Sequence, residues 1–102
     1  MNGILGEELK RIKCPCCGYY TQTVSVEDQP PYLCFEICPI CFWQFEEVSH
    51  DKPDKPSGGA NGMLSLNEAR ENYKQYGVCK TRHIGKGYTR PPLPEELPEN
   101  NL

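Results

Sequence analysis

Between Tyr19 and Val26 the chain reads Tyr-Tyr-Thr-Gln-Thr-Val-Ser-Val, an aromatic and β-branched run that predicts a strand. Pro30 and Pro31 then force a turn, because neither has an amide proton to give to a ladder. From Tyr32 to Ile37, apolar Leu33, Phe35 and Ile37 alternate with Tyr32, Cys34 and Glu36, the period-two pattern of a half-buried strand. The expectation is a β-hairpin whose arms are 19–26 and 32–37. In the lead-in, residues 1–13, Leu9 and Ile12 fit one face of either a short strand or a short helix.

The pattern then changes. Residues 49–62 hold two prolines, three glycines and several charges, and predict a loop without regular structure. Ser65-Leu66-Asn67-Glu68 is a capping box that opens a helix. Leu66, Ala69, Tyr73 and Tyr76 recur at helical spacing, and Gly77 suits the residue just past the end, so the helix is expected over 66–76. After residue 90 the Pro- and Glu-rich run Arg-Pro-Pro-Leu-Pro-Glu-Glu-Leu-Pro predicts an extended or polyproline-like tail. Such a tail either straps the domain through Leu93 and Leu97 or trails into solvent.

These elements fit one small α+β domain, residues 14–90, between the lead-in and a tail over 91–102. A chain of 102 residues has a thin core and gains from a staple. Seven cysteines are the obvious source. The amino terminus has no apolar stretch of signal-peptide length, and nowhere do 18 apolar residues run together, so a cytoplasmic protein with no membrane span is expected. Thiols stay reduced in that compartment, which favours metal over disulfides.

Cys14-Pro15-Cys16-Cys17 and Cys38-Pro39-Ile40-Cys41 each carry a C-x-x-C pair, with twenty residues between Cys17 and Cys38. This is zinc-ribbon spacing. Two thiolates three residues apart on a tight turn can both reach one ion, and two such turns brought together complete a tetrahedron. Cys14, Cys17, Cys38 and Cys41 are therefore the candidate ligands of a Zn²⁺, with iron as the alternative. A closed four-sulfur shell leaves no position for substrate, so the site is expected to be structural and the protein non-catalytic. Cys16 could replace a neighbouring ligand. Cys34 and Cys79 read as small buried apolar residues, and His50 and His83 as loop residues with no ligand partner.

Cys-Pro-Cys-Cys-Gly-Tyr at 14–19, Glu-Ile-Cys-Pro-Ile-Cys-Phe-Trp at 36–43, Gly-Gly-Ala-Asn-Gly at 58–62, Ser-Leu-Asn-Glu-Ala-Arg-Glu-Asn-Tyr at 65–73 and Arg-Pro-Pro-Leu-Pro-Glu-Glu at 90–96 resemble the bacterial cysteine-rich CPCC family. The chain departs from that pattern at Gln44-Phe45, where acidic residues are expected. The resemblance implies a zinc-ribbon-like domain: a β-hairpin with two cysteine knuckles plus one C-terminal helix. It also implies, by analogy alone, a role as immunity partner of a bacterial toxin.

Three functions follow from these readings. The first is a protein-interaction module, monomeric or a small homo-oligomer. Phe42, Trp43 and Phe45 are its candidate anchors, and its acidic stretch from Glu27 to Lys55 carries seven acids against two lysines. The second, a nucleic-acid-binding ribbon, rests on Lys10, Arg11, Lys13 and the six basic residues against two acids from Glu68 to Arg90, with Tyr88 interleaved. A net charge of −3 argues against dense non-specific binding. The third is an electron carrier: the two knuckles are similar to those of rubredoxin, although Phe42 stands where rubredoxin has glycine.

Overall fold

A computed structural model of the chain describes residues 8–30, 32, 36–45 and 52–101. Strands β1 (Leu9–Ile12) and β2 (Gln22–Ser25) come first, then β3 (Pro56–Gly58), β4 (Gly62–Ser65) and helix α1 (Leu66–Tyr76). Short 3₁₀ turns lie at Gly59–Asn61, Thr81–His83, Pro94–Glu96 and Pro98–Asn100.

The expected hairpin is paired differently. β2 lies inside the predicted first arm, but its antiparallel partner is β1 in the lead-in, with Leu9 opposite Ser25 and Ile12 opposite Gln22. Of the predicted second arm, Leu33, Cys34 and Phe35 lie outside the described residues. Its last residue, Ile37, pairs with Gln44 and is 39% exposed rather than half-buried. The reason is local. Each cysteine knuckle is itself a tight reversal, so the chain entering it meets the chain leaving it at little entropic cost. The result is two knuckles, each closed by its own antiparallel pair.

Residues 56–62 differ from the loop expected over 49–62, because β3 and the start of β4 form a small hairpin with an irregular register. Glycine makes the regularity affordable. Gly58, Gly59 and Gly62 all have positive φ. At Gly59 a Cβ would lie 2.8 Å from Oε1 of Gln44, so a side chain has neither the dihedral nor the room.

Helix α1 has the predicted bounds. The Ser65 hydroxyl accepts from the Glu68 amide, Glu68 accepts from the Ser65 amide, and Gly77 ends the helix at φ 76° with its N–H donated to the Tyr73 carbonyl. Leu66 and Ala69 are fully buried and Tyr73 packs against the same core, whereas Tyr76, placed on that face by spacing, is exposed. The core that receives the helix contains Ile40 and Trp43 and is otherwise largely sulfur: Cys14, Cys16, Cys38, Cys41 and Cys79 are all buried in it.

The tail straps the domain; of the two predicted leucines, Leu97 is half-buried and Leu93 is not. Leu93 is 42% exposed. Glu96 is the buried residue, bound by both terminal nitrogens of Arg90 at 2.8 Å and by the Leu93 amide at 2.8 Å. Its carbonyl accepts from Tyr20, just past the first knuckle, while the Arg90 amide donates to Pro39 in the second. Residues 90–96 thus tie both knuckles to one strap.

Candidate metal centre

The two knuckles share one hydrogen-bond plan. In the first, Gly18 donates its amide to the Cys14 carbonyl at 2.9 Å and Cys14 donates to Tyr19 at 2.8 Å. In the second, Phe42 donates to Cys38 at 2.9 Å and Cys38 to Trp43 at 2.9 Å. Each plan needs a left-handed residue right after the second cysteine. Gly18 takes φ 85° there and Phe42 takes φ 71°, the one non-glycine with positive φ among the described residues. For a phenylalanine this backbone costs roughly 1–2 kcal/mol.

Both reversals point their sulfurs at the same place. The Sγ atoms of Cys14, Cys17, Cys38 and Cys41 all lie within 4.8 Å of one another. Cys14 and Cys41 are 3.6 Å apart, and Cys17 and Cys38 are 3.7 Å apart. Four sulfurs at a zinc–sulfur distance of about 2.3 Å form a tetrahedron with edges of about 3.8 Å, so the spacing and the donor chemistry fit a thiophilic metal ion. Cys17, not Cys16, completes the group.

The electrostatics favour a cation. Hydrogen bonds from Cys14, Cys17 and Cys41 push the Cys38 thiol well below its ordinary value. Cys17 is driven up, chiefly by its hydrogen bond with Cys14, and Cys41 is driven up by burial first. Crowded sulfurs therefore yield one ready thiolate and neighbours that resist ionising, a conflict that a central divalent ion removes. Cys38 is also prepared from outside: the Thr21 hydroxyl donates to its sulfur at 3.3 Å and the Ile40 amide at 3.4 Å.

Other groups hold the two halves in register. Arg70 of α1 donates Nε to the Pro15 carbonyl at 2.8 Å, and the Cys79 amide donates to the Cys41 carbonyl at 2.8 Å. Asn61 does for the second knuckle what a neighbouring strand would: its Oδ1 accepts from the Gln44 amide and its Nδ2 donates to the Gln44 carbonyl, both at 2.9 Å. Composition does not mark Asn61 or Glu96 as supports. The Gly-Gly-Ala-Asn-Gly motif was the available signal for the first; nothing local marks the second.

Three of the candidate ligands, Cys14, Cys38 and Cys41, are fully buried and Cys17 only partly, beside a cavity of about 420 Å³ bordered by Lys13 and Arg70. Cys16 is buried next to it. Burial, then the neighbouring Cys16, pushes the Cys79 thiol up to about 12, so Cys79 stays protonated and packs as a small apolar side chain. His50 and Cys34 lie outside the described residues. His83 stands in a ring cluster with Phe42 and Tyr88.

The candidate aromatic anchors separate. Trp43 is 0% and Phe45 2% exposed, so both rings belong to the interior and neither presents a surface to a partner. After the reversal at Phe42 the next residue, Trp43, lies in the core with Leu66 and Ala69. Phe42 alone keeps part of its ring in solvent.

Fold and site together define a small α+β protein with a four-cysteine centre suited to a metal ion. More particularly, the cysteine-rich CPCC family model matches residues 12–96, and the chain belongs to that family. No curated protein and no solved structure matches it. Among the described residues, no helix is long and apolar enough to cross a membrane.

Proposed function

We propose that this is a non-catalytic zinc protein, in which one ion held by Cys14, Cys17, Cys38 and Cys41 clamps a ribbon-like pair of knuckles and thereby supports a binding surface. The observation that carries the reading is the gathering of four sulfurs, two from each of two like-built turns, within 4.8 Å of one another. A shell of four protein thiolates leaves no coordination position for a substrate. Zinc suits it better than a harder ion because every donor is sulfur. The ion joins segments 21 to 27 residues apart in the chain and sits inside the core, so its binding free energy is folding free energy.

Metal analysis of protein purified under reducing conditions tests this. One zinc per chain, no visible colour, and loss of cooperative folding on chelation are the expected results. A red protein with iron absorption points to the electron-carrier alternative. A metal-free chain that melts cooperatively refutes the clamp.

A further inference from the structure

The second knuckle keeps a phenylalanine at a position where its twin keeps glycine, and the ring packs against the core while staying only partly buried. Phe42 stacks on Tyr88, with centroids 4.9 Å apart and planes 22° apart. His83 stands edge-on to both, at 5.1 and 5.3 Å. Tyr88 is 49% exposed, and Phe42 and His83 are only partly covered. Three rings thus make an aromatic surface immediately beside the metal ligand Cys41.

Its surroundings are positive. Between residues 72 and 94 the chain has five basic residues and no aspartate or glutamate. Arg90 is held by Glu96. Lys74 pairs with Glu71, and Lys80 donates to the Ala60 carbonyl at 2.6 Å. Lys80, Arg82 and Lys86 lie close enough to His83 that, after burial, their charges hold its imidazole below its ordinary value. Gly85 and Gly87, both at φ 75°, bracket Lys86 in an exposed turn.

We propose that Phe42, His83 and Tyr88, rimmed by Lys80, Arg82 and Lys86, form a binding face for single-stranded nucleic acid, with bases stacking on the rings and phosphates following the cations. The proposal rests on the metal clamp, because the ion holds the Phe42 backbone in place. Phe42 and Tyr88 each cover one face of the other, and the half-exposed Tyr88 leaves this stack open for an unstacked base to extend, which a duplex does not offer. An acidic peptide would answer the cations and leave the rings without a planar partner. The net charge of −3 confines attraction to this face and makes the affinity salt-sensitive.

The test uses the metal-loaded full chain and fluorescence anisotropy with labelled oligo(dT) and oligo(U) of about 12 nucleotides, against a duplex and polyglutamate. Single strands are expected to bind with a log–log salt slope of about −2 for three phosphate contacts. Phe42→Gly suits the left-handed backbone, so the knuckle survives it. That variant and Tyr88→Ala should each weaken binding about 10-fold while metal content and slope are unchanged. Arg82→Gln with Lys86→Gln should bring the slope to about −0.7. The inference is overturned if duplex binds as tightly, if only polyglutamate binds, or if neither ring variant weakens binding. Metal content on the same samples separates the two readings: one ion per chain with no oligonucleotide binding sinks this inference alone, and no ion sinks the clamp.

Discussion

The strap pair Arg90–Glu96 makes an asymmetric prediction. The Glu96 side chain is 4% exposed and that of Arg90 is 37% exposed, so the carboxylate is the buried partner and the guanidinium can hydrate on its own. Arg90→Ala removes two 2.8 Å charge-assisted bonds and leaves a buried carboxylate with only the Leu93 amide. Stranding a buried charge costs about 3–5 kcal/mol, and the remaining amide places this case near 3. Glu96→Gln leaves Arg90 to water and keeps an oxygen for Leu93, so the loss of the ionic bond, discounted for the exposure of Arg90, is about 1–2 kcal/mol. For a chain this size, these correspond to roughly 12–24 °C and roughly 4–16 °C in Tm.

The pH dependence carries the sign. Hydrogen bonds from Arg90 hold the Glu96 carboxyl below its ordinary value of 4.5. In the wild type the pair therefore contributes stability that is complete above that ordinary value and lost as pH falls through the lowered one. In Arg90→Ala the same carboxyl is buried without its cation, its pKa rises, and protonation favours the folded state. Melting of zinc-loaded proteins by circular dichroism at pH 7 and pH 5.5 should show the gap between Arg90→Ala and wild type narrowing at the lower pH. Glu96→Gln should keep a constant gap. If Glu96→Gln proves the more damaging change, or the Arg90→Ala gap widens on acidification, the reasoning fails.

Other outcomes follow from the same geometry. Cys38→Ser, which removes one of the four clustered sulfurs, should abolish metal binding and cooperative melting, whereas Cys79→Ser should leave metal stoichiometry at one by native mass spectrometry. Asn61→Ala removes two 2.9 Å hydrogen bonds to the Gln44 backbone and should cost about 1–3 kcal/mol in chemical denaturation, with metal content unchanged. Ser65→Ala removes the helix cap for about 1 kcal/mol, and Ser65→Asp should restore most of it.

The cysteine spacing and the helix were legible without the fold because both are local. A C-x-x-C pair on a reversal, or a capping box followed by i, i+3 apolar residues and a closing glycine, is decided within one or two turns of chain. The 3.6 and 3.7 Å sulfur contacts were implied by that spacing, but not that Cys17 rather than Cys16 would make one of them. Strand pairing was not legible: Thr23 and Val24 mark a strand equally well whichever neighbour it takes, and the knuckle's own reversal chose β1.

What sequence alone determined here is the chemistry: two thiol pairs able to meet at one ion, and a helix with its ends marked. Tertiary structure decided which side chains serve the interior and which remain outside. Trp43 and Phe42 are adjacent and both aromatic, yet one is fully buried in the core that includes Leu66 and Ala69 and the other, only partly buried, stacks on Tyr88. Glu96 reads as part of a charged tail, yet it is the buried counter-ion of a strap across both knuckles. Burial is set by which segments the assembled knuckles bring together, and no local pattern of residues encodes that meeting.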